Sequence, residues 1–133
     1  MIQDQWDEIF EVVYVMKGSV GVGYRLFNET FFGVRIMMTN EKKVSTGIND
    51  FGCLENKCSE FLYTAIETTE ALAIRKFHFT NVIENSIVRG LTKRIATNYK
   101  YLIQDPVSEH REEMARKFKN RTDYVDFGVK GLK

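Results

Sequence analysis

The chain is short of the residues on which most catalysis and metal binding depend. Its 133 residues include two histidines (His78, His110), two cysteines (Cys53, Cys58) and one proline (Pro106). Two cysteines are too few for a disulfide scaffold and lack the partner pair of a zinc knuckle. The C-x4-C spacing is wide, and the histidines fall 20 and 52 residues after Cys58, so no metal is expected. Neither histidine has a base–orienter partner in view, so no catalytic residue is assigned and the chain is not expected to be an enzyme. No window approaches the roughly 18 uninterrupted apolar residues of a membrane span, and no basic-then-apolar leader opens the chain. Free thiols point to a reduced, intracellular setting. There the sequons Asn28-Glu29-Thr30 and Asn120-Arg121-Thr122 would be chance matches.

Net charge is nearly absent as well, at +1, but the total is a cancellation. Residues 1–74 hold 6 Lys/Arg against 11 Asp/Glu, net −5; residues 75–133 hold 13 against 7, net +6. The basic half interleaves its cations with glutamates, which is the pattern of a solvated helix face, so nucleic acid is not an expected partner. The basic helices are expected to face the acidic half of this chain or of a neighbouring subunit.

What is present is enough apolar side chain, 10 Phe, 6 Tyr and 1 Trp among them, for one core. The first 77 residues read as about five or six strands. Ile9–Met16 is a nearly continuous apolar run that Gly18 ends. Val20, Val22 and Tyr24 then alternate with small or polar residues. Phe31–Met38, Phe61–Ile66 and Leu72–Phe77 read as further strands. The cluster Gly18-Ser19-Val20-Gly21-Val22-Gly23 lacks the following helix that a phosphate loop needs, and a tight turn entering a strand fits it better.

Helices come next. A short one is expected over Thr80–Asn85 and a long one from Ser86 to about Ile103. The long one carries the stripe Val88, Leu91, Ile95, Tyr99 and Leu102. Asp105-Pro106 predicts a restart, with Asp as N-cap and Pro at the first position. Glu112/Arg116 and Glu113/Lys117 predict i,i+4 pairs. Residues 120–133 lack a period and predict a tail. Strands first and helices after imply an α+β fold with an antiparallel sheet, expected as a β-roll or jelly-roll barrel followed by C-terminal helices. The divisions are 1–78 for the roll, 79–103 for the helices on it, and 104–133 for a short helix and tail.

In this frame Val13-Tyr14-Val15 with Gly18, Val20 and Val22 resembles the strand motif of cyclic nucleotide-binding domains. Phe51-Gly52 sits where that family begins its phosphate-binding cassette. Ala65, Ala71, Ile74 and Phe79 match its last strands and B helix, and the helix from Ser86 its C helix. The resemblance covers residues 7–103. Asp7-Glu8-Ile9, Gly21-Val22-Gly23-Tyr24, Ser59-Glu60-Phe61-Leu62-Tyr63 and Ile74-Arg75-Lys76 are similar to divergent, protist-type versions in voltage-gated potassium channels. The stretch from Asn98 to Tyr124 is similar to the segment beyond the C helix in those channels.

The resemblance implies a cytoplasmic gating domain of an integral membrane protein. Its partners would be the pore, the linker and the neighbouring subunits of a tetramer. It also implies a helical segment and a first strand before residue 7. Without them strand edges are open, and the isolated piece is expected to be prone to dimerise. Nucleotide binders of the family carry a Glu for the ribose and an Arg for the cyclic phosphate; here those positions hold Cys53 and Ser59. Losing two charge-assisted hydrogen bonds costs about 3–6 kcal/mol, or roughly two to four powers of ten in affinity. Lys57 offers only a point charge. The pocket, Phe51, Gly52, Cys53, Lys57 and Ser59, is therefore expected not to take cAMP or cGMP, and no cofactor is implied; a working cAMP/cGMP sensor is the alternative. Related channels fill degenerate pockets with their own side chains, and Tyr99, Tyr101 and Leu102 are the residues available for that here. The helical spacing instead favours Tyr99 and Leu102 as residues of a core face. A nucleotide-regulated transcription factor would need a winged-helix module beyond the C helix, and only 30 residues follow Ile103.

Overall fold

The computed structural model describes the backbone of residues 1–38, 47–85 and 90–132, with side chains to residue 119. One strand organises it. β1 runs unbroken from Glu11 to Leu26, so Gly18 does not end a strand as expected but bends one. Its φ of +106° is a backbone conformation that side chains disfavour, and a Cβ there would meet the Thr68 carbonyl oxygen at 2.7 Å. On one side of the bend β1 pairs with β4 (Glu70–Arg75); on the other it pairs with β2 (Glu29–Met38) and β3 (Leu62–Ala65), all antiparallel.

Phe27 and Asn28, at φ 50° and 66°, make the two-residue turn from β1 to β2. The glycine cluster thus lies within a strand, not at a tight turn entering one as expected. The four strands form an antiparallel sheet ordered β2-β1-β3, with β4 on the other half of β1. Every pairing uses β1, so the sheet is not closed, and the expected barrel is not formed among the described residues. Val20, Val22 and Tyr24 are fully buried, but Ser19, Gly21 and Gly23 between them are buried as well, so the single buried face expected from the alternation gives way to a strand covered on both faces.

α1 (Asp50–Leu54) falls in a stretch with no sequence period. α2 (Lys76–Glu84) starts four residues earlier than expected, directly from β4. α3 covers Leu91–Tyr99; Gly90, at φ +72°, sets its start, and Val88 lies outside the described residues. Next comes the largest departure from the sequence pattern. No restart occurs at Asp105, whose φ/ψ of −65°/−50° is helical. Instead a π-helical turn over Lys100–Gln104 leads without a break into α4 (Asp105–Leu132).

The single proline explains the wide turn. Pro106 cannot donate to the Leu102 carbonyl, and its ring would crowd that oxygen in a regular helix. The Asp105 N–H reaches back to Lys100 and opens the spiral there. The inserted residue rotates the apolar face. Leu91, Ile95 and Tyr99 face inward as predicted, but the stripe continues through Ile103 (1% exposed) and Val107 (0%), while Leu102 is 50% exposed.

α4 packs on the strands instead of trailing off. His110 Nδ1 lies 2.7 Å from the Tyr24 hydroxyl, and the Phe118 ring meets Phe27 at a tilt and Phe31 edge-on, centroids 5.5 and 5.4 Å away. Gly33 makes the approach possible, since a Cβ there would sit 3.1 Å from the Val107 Cα. The expected tail from residue 120 is helical backbone to Leu132; a nucleated helix gains a hydrogen bond per added residue even where apolar periodicity fades. No helix among the described residues is long and apolar enough to cross a membrane. Of the two predicted helical ion pairs, Glu113–Lys117 is formed, at 3.1 Å.

Candidate functional site

The site lies where α1, the segment 57–63 and the junction of α3 with the π turn converge. Asn49, at φ +70°, turns the chain into α1 and brings Phe51 and Gly52 to face Tyr99. A cavity of about 80 Å³ remains, lined by Phe51, Gly52, Lys57, Ser59, Glu60, Tyr63, Tyr99 and Gln104 among others. Four of the five pocket residues expected from the sequence therefore come together.

Cys53 is the exception. It is buried in a second apolar cluster with Ile9, Val12, Phe79 and Ile95 and does not line the cavity. Burial pushes its thiol up to about 11, Lys76 partly opposing. Cys58 is exposed, and both thiols are free. In the native protein an Ellman titration should therefore count one fast thiol, with the second appearing only on denaturation. Among the described residues no three metal-ligating side chains gather.

Ser59, at the family's arginine position, is 2% exposed and belongs to a structural network. Its hydroxyl donates to the Phe61 carbonyl at 2.7 Å and lies 3.1 Å from Asn49 Oδ1, while Asn49 Nδ2 donates to Gln3 at 3.0 Å.

Of the three candidate plug residues, Tyr99 alone reaches the cavity. Its ring stacks on Phe51, centroids 4.8 Å apart and planes 12° from parallel, and its hydroxyl donates to Glu60 Oε2 at 2.7 Å. Gln104 Nε2 donates to the same oxygen at 3.2 Å. Tyr99 is thus a core residue, as its spacing required, whose ring also lines the cavity. Burial raises its pKa first, with Tyr63 and Glu60 adding, so the phenol stays protonated and donating. Tyr101 and Leu102 are 63% and 50% exposed and point elsewhere. Glu60, Asn49 and Gln104 were not anticipated. Glu60 stood next to Ser59 in the motif that suggested the family, but Gln104 needed the π turn to reach it. The basic helices were expected to face the acidic strands, yet among the described residues Glu60 meets a phenol and an amide.

The electrostatics do not favour an anion. Lys57 is exposed at the rim, whereas Glu60 lines the cavity and the Asp50 charge acts on Tyr63 and Tyr99 in its wall. Burial pushes the Asp50 carboxyl up to about 6, although its Oδ1 accepts the Phe51 N–H at 2.7 Å. An unfolded aspartate titrates near 3.9, so the folded state holds the extra proton between about pH 4 and 6. Asp50 therefore favours folding most below about pH 4, and that contribution is lost as pH rises through about 6. At pH 7 the Asp50→Asn variant should be more stable by about 2 kcal/mol, the gain disappearing below about pH 4 in urea midpoints.

No family model and no curated protein matches the chain. Among solved structures it is similar to the EAL enzyme Bd1971 in its cAMP-bound form, with a TM-score of 0.59 at 10% identity over 94% of this chain. It is also similar to the cGMP-bound form, with a TM-score of 0.54 at 12% identity over 91% of this chain. The chain spans 32% and 33% of those two structures. At such identity the likeness is one of fold: this α+β architecture is like that of structures bound to cyclic nucleotides.

Proposed function

We propose that this chain is a non-catalytic regulatory domain of cyclic-nucleotide-binding type whose pocket is occupied by its own Tyr99. The observation that carries the reading is the stack of Tyr99 on Phe51 with its hydroxyl on Glu60, which leaves about 80 Å³. Ligand pockets run to roughly 300–1,000 Å³. A nucleotide would have to displace the ring, and its phosphate would meet Glu60 with only the rim ammonium of Lys57 to balance it. Such a domain reports a packing state: with Tyr99 seated, α3 and α4 are held against the strands. The sequence resemblance suggests the larger protein, a voltage-gated potassium-type channel in which this module would act on the pore and on neighbouring subunits.

Calorimetric titration with cAMP and with cGMP tests the reading. No saturable heat is expected up to about 1 mM nucleotide, an affinity weaker than roughly −4 kcal/mol. The second reading, a working nucleotide sensor, draws on the cAMP and cGMP named in the structural neighbours. Saturable micromolar binding would put it in place of the first.

A further inference from the structure

Strand β4 reads Glu70-Ala71-Leu72-Ala73-Ile74-Arg75, and among the described residues it pairs with β1 alone. Its register on β1 sets Leu72 opposite Tyr14, Ala73 opposite Val13 and Ile74 opposite Val12. Two sets of hydrogen bonds show which way each backbone group points. The Lys76 N–H donates to the Phe10 carbonyl at 2.8 Å, and Val13 exchanges both of its bonds with Ile48 on the far side of β1, at 3.1 and 2.7 Å. Because directions alternate along an antiparallel ladder, Leu72 and Ile74 bond toward β1, as the N–H of Lys76, the first residue of α2, does. The N–H and C=O groups of Ala71, Ala73 and Arg75 point away from it. Only Ile74 of the strand is even half-buried, and Leu72 is 56% exposed in mid-strand.

We propose that this edge pairs antiparallel with the same edge of a second copy, about a two-fold axis at Ala73. This goes beyond the reading of the pocket and does not depend on it. Ala73 would exchange both main-chain bonds with Ala73 of the second copy, and Ala71 with the second copy's Arg75, giving about six bonds across the axis. The side chains argue for self-pairing in this register. On one face Leu72 meets the second copy's Ile74, and Glu70 meets its Lys76, each contact repeated by symmetry. The Lys76 ammonium already holds Asn56 Oδ1 at 2.7 Å, but it has three donors and can keep that bond. Slipping the register by two residues places Glu70 against Ile74, or Leu72 against Lys76, and loses a bonded pair at one end. An unrelated strand would match the hydrogen bonds but not the charges at both ends.

Sedimentation velocity over a concentration series tests the interface. Wild type should show a monomer–dimer equilibrium at about 10–200 µM, a range typical of weak edge pairing. Glu70→Lys sets Lys against Lys76 twice and should weaken the dimer about tenfold, and Glu70→Lys with Lys76→Glu should restore it. Ala73→Pro removes an N–H that β1 does not use, so it should abolish the dimer while circular dichroism and urea midpoints stay close to wild type. If that variant does not fold, the charge reversal and its rescue carry the test. A wild type that remains monomeric throughout, or a dimer indifferent to these changes, would overturn the proposal and leave the edge to another occupant.

Discussion

Tyr99→Ala is expected to cost the domain about 3–5 kcal/mol of stability, the range for truncating a large buried aromatic. Against a total of roughly 5–15 kcal/mol, that brings the domain close to unfolding at ambient temperature. Three losses combine: the ring that stacks on Phe51, the contacts of a residue only 9% exposed, and the hydroxyl that satisfies Glu60. Tyr99→Phe separates them. It keeps the stack and leaves Glu60 the bond from Gln104, so about 1–2 kcal/mol should be lost. Urea unfolding measures both.

A chemical rescue then separates a filled pocket from an ordinary core position. The cavity left in Tyr99→Ala has the shape of a phenol and a carboxylate to receive its hydroxyl. Millimolar p-cresol should therefore raise the melting temperature of Tyr99→Ala and leave that of wild type unchanged. A loss below about 1 kcal/mol in the alanine variant would show that Tyr99 does not hold the pocket shut.

The second large effect distinguishes two adjacent residues. Ile103→Asp should unfold the domain or cost more than about 4 kcal/mol, because it puts a carboxylate without a partner into the core. Leu102→Asp should change stability by no more than about 0.5 kcal/mol, since that side chain is half exposed. A regular helix carrying the stripe from Leu91 through Leu102 requires the opposite ranking. The pair of urea midpoints thus measures the π turn directly: if Leu102→Asp proves the damaging change, the helix keeps its α register there.

Much of the fold follows from local chemistry and was legible in the sequence. Alternation marked β1 and its buried Val20, Val22 and Tyr24. β-branched and aromatic runs marked β2, β3 and most of β4, and the order of elements marked an α+β class. The candidate site was legible in part. Phe51, Gly52, Lys57, Ser59 and Tyr99 were found by resemblance, and the helical spacing of Tyr99 gave its place in the core. Glu60 and Gln104 were not found, because neither position announces that it will share a phenol.

Pro106 shows most clearly why the rest was hidden. Locally, Asp-Pro is a helix start, and by that rule the chain beyond it should begin afresh and end in a tail. The neighbouring helix and strands instead reward a continuous rod. Val107 and His110 have a place to dock against Gly33 and Tyr24, and one π turn absorbs the missing N–H. The same holds for Cys53, which the sequence places beside Phe51 and Gly52 and the turn of α1 sends to another cluster.

The composition that first stood out, few histidines and cysteines and a single proline, excluded a disulfide framework by counting alone, because covalent cross-links need partners in number. Periodicity likewise determined which residues could be core, because burial at one face demands a repeat. The tertiary structure decided which of two adjacent helical residues is inside, whether the sheet closes, and which side chains line the cavity. Those outcomes depend on contacts between residues as far apart as Tyr24 and His110, or Glu60 and Tyr99, and no local window contains both partners of such a pair.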